Sequence, residues 1–157
     1  SDTTVPEAPL WNHEVSDGAP GWQPYANPAT LNAVVGQPSG ISVLCLSCHD
    51  GTVAIDSFGG AAGGTTIAAA GNVTTDLRDD HPVSFTYDDT LAGNDGQLHN
   101  PGADGLAGQS NTLPLFGAGS DQVECATCHD VHNNTTFASM LIVDPDASTL
   151  CLDCHNK

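Results

Sequence analysis

A five-residue frame, Cys-X-X-Cys-His, occurs three times in this 157-residue chain and uses all six of its cysteines. It reads CLSCH at 45–49, CATCH at 125–129 and CLDCH at 151–155. On one turn of helix, cysteines three positions apart lie on the same side. A chain with every thiol in this frame must fold around the groups that these thiols bind.

The frame is the attachment signature of c-type haem. Two thiols add across the vinyl groups as thioethers, and the following histidine coordinates the iron. The predicted haem-binding sets are Cys45, Cys48 and His49; Cys125, Cys128 and His129; and Cys151, Cys154 and His155. The sequence therefore predicts three c-type haems.

Three other uses of paired cysteines fit the frame less well. A zinc ribbon needs an even number of CXXC pairs and no histidine directly after them, whereas this chain has three pairs, each followed by a histidine. Disulfides within a frame are disfavoured because cysteines so close in sequence bridge with strain. Thioredoxin-like chemistry uses a single pair in a strand–helix context, which the chain lacks.

Four of the seven histidines lie outside the frames and are candidates for the second axial position of each iron. His132 follows His129 by three residues, so on a continuing helix it would lie on the same side and reach a neighbouring haem, the one on Cys151 and Cys154. His81 precedes Pro82, which favours an extended backbone there. Both are predicted axial ligands.

The third such ligand is either His13 or His99. We prefer His13 because Trp11 beside it can lie against a macrocycle; His99 falls in a region with little pattern. The remaining histidine is then a surface residue or a ligand to a haem of an adjoining subunit. Met140, the one methionine, lies in an apolar run and is expected to pack in the core.

The composition predicts little regular structure. Aromatic residues are 5% of the chain, with 17 glycines and 10 prolines, so turns should outnumber long helices or strands. We predict one domain over 1–157, mostly irregular coil with short helices and a few short strands, organised around three stacked haems. Residues 1–40 would form an extended arm and 41–157 the haem-binding region. Residues 83–87 are a predicted strand and 88–122 a predicted coil.

The charge is strongly acidic, with a formal net charge of −17 and only Arg78 and Lys157 as basic side chains besides histidine. Binding to nucleic acid or to an anionic membrane needs clustered basic residues, so both partners are disfavoured. No stretch approaches the roughly 18 apolar residues of a membrane span. The opening Ser1-Asp2-Thr3-Thr4 fits a mature chain whose export signal has been removed.

The segments APLWN, CLSCHDGTVA, DHPVSF, CATCHDVHN and LCLDCHNK together resemble the multihaem c-type cytochromes of the doubled-CXXCH kind. The resemblance covers most of residues 6–157. It implies electron transfer outside the cytoplasm, iron on His49, His129 and His155, and axial roles for His81 and His132. Some members of that family polymerise into extracellular filaments, in which a neighbouring subunit can donate a ligand.

We therefore expect an exported electron-transfer protein and not an enzyme. Its expected partners are further copies of itself in a homopolymer, other redox proteins and external acceptors. A soluble periplasmic shuttle is the main alternative. A haem-based oxyanion reductase would need an open iron and basic residues to capture its substrate, and the chain has few of these.

Overall fold

The computed structural model describes residues 12–18, 21–101, 113–132, 134 and 137–156. Within these ranges the helices are α1 (Gly40–His49), α2 (Asp89–Asp95), α3 (Cys125–Cys128) and α4 (Thr149–Leu152), with 3-10 turns at Ala69–Gly71, Ala138–Met140 and Asp146–Ser148. Four two-residue strands form two sheets. The predicted fold class, mostly coil with short helices and a few short strands, is confirmed.

The described residues divide into two compact units, the first within the ranges 1–26 and 35–82 and the second within the ranges 27–34 and 83–157. In the first unit, β1 (Gln23–Pro24) pairs in parallel with β2 (Asp76–Leu77). Trp22, Leu46 and Leu77 form the buried cluster of this unit, and Val43 packs against it. Helix α1 therefore presents Leu46, from inside the first CXXCH frame, to the apolar centre.

A buried carboxylate joins the chain segments around the end of α1. Asp50, only 4% exposed, accepts hydrogen bonds from Ser16 Oγ at 2.6 Å and from Trp22 Nε1 at 3.0 Å. It also accepts from the backbone N–H of Thr52 at 2.8 Å and from its hydroxyl at 2.7 Å. Because its hydrogen-bond partners come from three parts of the chain, this carboxylate ties Ser16 and Trp22 to the end of the first frame.

The second unit contains the antiparallel pair β3 (Phe85–Thr86) and β4 (Gln122–Val123), with Phe85 opposite Val123. The strand predicted at 83–87 is thus confirmed in shortened form. Phe85, Tyr87 and Val123 are buried. The pairing brings the chain just before the second frame against the segment that follows His81 and Pro82.

Helix α2 corrects the prediction of coil over 88–122. Asp88 caps its first turn by accepting a hydrogen bond from Leu91 N at 2.8 Å, and Gly96 ends it in the left-handed region at φ 70°. The helix is specified by these caps and not by an apolar stripe. Residues 102–112 of that region, like Trp11 and Lys157, lie outside the described residues.

The expectation that Met140 packs in the core is wrong, since its residue is 37% exposed. Of the run 137–143, the buried member is Val143. Met140 O accepts a hydrogen bond from Asp130 N at 2.8 Å, and Ile142 N donates to Cys128 O at 2.9 Å. These bonds hold the backbone of residues 140–142 against residues 128–130, at the end of the second frame. The side chain of Met140 lies at the surface.

Candidate haem-binding sites

The first frame forms the last turn and a half of α1, so Cys45 and Cys48 lie one turn apart. His49 Nδ1 lies 2.7 Å from the carbonyl oxygen of Gly71, which belongs to the 3-10 turn at Ala69–Gly71. A carbonyl can only accept, so Nδ1 carries the proton and donates. The tautomer leaves Nε2 as the lone-pair nitrogen, the arrangement that metal-ligating histidines need.

The second frame repeats this geometry on a shorter helix. Helix α3 is one turn long and begins with a capping box between Glu124 and Thr127. Glu124, 3% exposed, also accepts a hydrogen bond from Ser84 Oγ at 3.0 Å. His129 Nδ1 lies 2.8 Å from Ser139 O and donates to it, which again leaves Nε2 for a metal.

The third frame is held by a backbone pairing. Cys151 lies in α4, and His155 forms an antiparallel bridge with Leu98. His99 N donates to Cys154 O at 2.8 Å, and Asn156 N donates to Gln97 O at 2.8 Å. Residues 97–99 therefore lie directly against the end of the third frame.

None of the six cysteines, all of which the structure describes, forms a disulfide. Burial is the main cause that raises the pKa of Cys154 to about 12; Cys128, Asp153 and Cys151 add smaller increases, and the hydroxyl of Tyr87 lowers it. Burial also raises the pKa of Cys128, with smaller effects from Cys125 and Cys151. The thiols of the second and third frames therefore influence each other within one unit, and the partly buried thiols of Cys128 and Cys154 are protonated at neutral pH.

These residues fit c-type haem. Each frame offers two thiols one turn apart and a histidine, and two of these histidines are oriented by a main-chain carbonyl. Among the described residues, no three His, Cys, Asp or Glu side chains converge on a point that could hold a metal ion.

Of the other four histidines, His13 lies beside the first frame. It is 4% exposed, and its Nε2 lies 3.8 Å from Cys48 Sγ and 3.0 Å from Ala54 O. Its Nδ1 lies 2.6 Å from Glu14 O, and the ring meets Phe58 edge-on with centroids 5.0 Å apart. The structure thus places His13 at the first haem-binding set, although its ring nitrogens contact carbonyl oxygens.

His81 and His132 are both exposed. His81 Nδ1 donates to Pro82 O at 2.9 Å, so this ring too has its Nδ1 anchored by a carbonyl. The expected continuation of the helix through His132 is wrong, because α3 ends at Cys128 and His129 is extended at φ −114° and ψ 131°. The axial roles of the two histidines stay predictions that rest on the sequence.

Two acidic residues of the site were not singled out from the sequence. Asp50 follows the first frame, and Asp153 lies inside the third; both are buried, Asp153 completely. Burial raises the pKa of Asp153, whereas the charge of His99 lowers it. An acidic residue within or directly after a CXXCH frame is the sequence feature that could have indicated these buried carboxylates. In so acidic a chain, however, such a residue cannot be distinguished from a surface charge.

Residues 118–157, which hold the second and third frames, match the family model described as the doubled CXXCH motif. Together with the frames, the match indicates covalent c-type haem binding and supports a multihaem c-type cytochrome-like protein. The first frame lies outside the matched segment. No curated protein matched the chain. No helix among the residues described by the structure has the length and apolar character needed to cross a bilayer.

Proposed function

We propose that the protein carries three c-type haems, one on each frame, and transfers electrons between them. The observation that carries this is the repeated ligand geometry. In both the first and the second frame, a histidine at the end of a helical turn donates its Nδ1–H to a distant carbonyl and keeps Nε2 for iron. Haem, when bound, supplies a reversible one-electron iron couple.

The chain's own residues do three things in this proposal. The six cysteines tether the macrocycles, and His49, His129 and His155 coordinate iron on one side. His13, His81 and His132 supply the second side, so that each iron is closed to exogenous ligands. The excess of carboxylates, at a net charge of −17, stabilises the oxidised irons and lowers their potentials.

Closed irons favour electron transfer over catalysis. A reductase would leave one axial position open and place acid–base or basic residues beside it. Arg78, the described cationic side chain other than histidine, is paired with Asp76 at the surface. Carbon monoxide added to the reduced protein tests this directly, because a spectral shift at neutral pH would reveal an open iron and favour the reductase.

The number of haems is tested on the protein produced with a c-type maturation system. Intact mass should exceed that of the polypeptide by three haems, and the pyridine haemochrome assay should give three haems per chain. Electron paramagnetic resonance of the oxidised protein should show low-spin iron throughout. A product with the bare polypeptide mass and no Soret band would overturn the proposal.

We further propose that the protein is exported and acts as a subunit of an extracellular filament that conducts electrons to external acceptors. Support comes from the family resemblance, since some members of that family polymerise into filaments in which a neighbouring subunit can donate a ligand. Electron microscopy of the native material distinguishes filaments from a soluble periplasmic shuttle. Monodisperse small particles under all conditions would support the shuttle.

A further inference from the structure

The side chain of Asp153 is fully buried, and neither of its carboxylate oxygens has a hydrogen-bond partner among the residues that the structure describes. Burying a carboxylate without a partner costs several kcal/mol at least, so such groups are paired in the working state of a protein. Asp153 lies between the two cysteines of the third frame. A group that pairs with Asp153 therefore also restrains the backbone between Cys151 and Cys154.

His99 lies near Asp153, since its charge lowers the pKa of that carboxyl against the larger, raising effect of burial. Its backbone N–H donates to Cys154 O at 2.8 Å, the residue directly after Asp153. A second contact fixes the same segment, since the hydroxyl of the buried Tyr87 donates to His99 O at 2.5 Å. The position of His99 beside the third frame is thus set by two hydrogen bonds of its own backbone.

This position argues against His99 as a ligand of the third iron. Axial ligands approach iron from opposite faces of the macrocycle, so two imidazole rings and the metal separate their backbones. Leu98, however, is bridged to His155, and opposing Cα atoms in such a pair are only about 4.5–5.5 Å apart. Side chains also alternate along the pair, so His99 and His155 leave it on opposite faces.

We propose that His99 is not a ligand of the third iron but the hydrogen-bond partner of Asp153, and that this pair, held by Tyr87, positions the third frame. The proposal rests on the function proposed above. Three six-coordinate haems use six of the seven histidines as ligands, and His99 is the one that remains. The ring N–H of His99 donates to the carboxylate in the haem-loaded protein. The pair thereby fixes the short helix α4 against residues 97–99.

The test uses haem-loaded variants. In His99→Gln the side chain keeps an amide donor for Asp153 but offers no imidazole to iron. We expect three low-spin haems, no carbon monoxide binding and a thermal midpoint close to that of the unsubstituted protein. The matched control is His132→Gln, which removes a proposed ligand; one of three haems should lose its low-spin signal and bind carbon monoxide.

A double-mutant cycle tests the pairing itself. His99→Ala leaves the carboxylate buried and alone, so the thermal midpoint should fall; adding Asp153→Asn should restore part of the loss, because a neutral amide replaces the charge. Strictly additive effects would overturn the pairing. High-spin iron or carbon monoxide binding in His99→Gln would overturn the non-ligand role. Fewer than three low-spin haems in the unsubstituted protein would instead count against the proposed function.

Discussion

Replacing Asp50 by alanine should destabilise the first unit by about 3–5 kcal/mol. The carboxylate is 4% exposed and accepts four hydrogen bonds, from Ser16, Trp22 and twice from Thr52. The Ser16 hydroxyl keeps a second partner in Thr52 Oγ1, at 2.8 Å. The indole N–H of the buried Trp22 would lose its acceptor, at a cost of about 1–3 kcal/mol. Losing the charge-assisted bonds accounts for the remainder.

The measurement is equilibrium unfolding of the haem-loaded protein in guanidinium chloride, followed by far-UV circular dichroism. Asp56→Ala is the matched control, because Asp56 also accepts bonds from a hydroxyl and from backbone N–H groups, those of Gly64 and Thr65, but at an exposed site. The midpoint should fall clearly further for Asp50 than for Asp56. Overlapping curves for the two variants would refute the assignment of Asp50 as the junction of this unit.

Three further outcomes are expected. Gly18→Ala should cost more than about 1–2 kcal/mol, because φ is +65° and a Cβ would strike the Trp22 ring, whereas Gly36→Ala, with open space, should be tolerated in the same unfolding assay. Tyr87→Phe should cost about 1–2 kcal/mol through the lost bond to His99 O, read from the same midpoint. Replacing both cysteines of the second frame by alanine should remove about one third of the haem in the haemochrome assay; unchanged haem content would contradict the thioether assignment.

Much of the site can be predicted from sequence because its chemistry is local. The cysteine spacing, the following histidine and the helical turn all lie within five residues, and the structure places each frame at the end of, or overlapping, a helix. The acceptors that orient His49 and His129 could not be predicted. They are carbonyls 22 and 10 residues away, and their positions depend on the path of the intervening chain.

The buried acids and helix α2 were missed for different reasons. Asp50 and Asp153 are two of the 19 acidic residues of the chain, and only the folded chain shows which of these are removed from water. Helix α2 contains a glycine and few strong helix formers, so propensity argued against it. Its caps, Asp88 and Gly96, can be recognised in the sequence, and their stabilising effect outweighs the low helix propensity of the residues between them.

The carbonyl partners of His49 and His129 have an implication for mutagenesis. A peptide oxygen is common to all twenty amino acids, so an exchange of the residue at position 71 or 139 leaves the acceptor in existence. Alanine scanning therefore does not remove this hydrogen-bond acceptor. Inserting or deleting one residue within 67–71 or 137–141 shifts the oxygen itself, and that class of variant is the one that would uncover how each imidazole is steered.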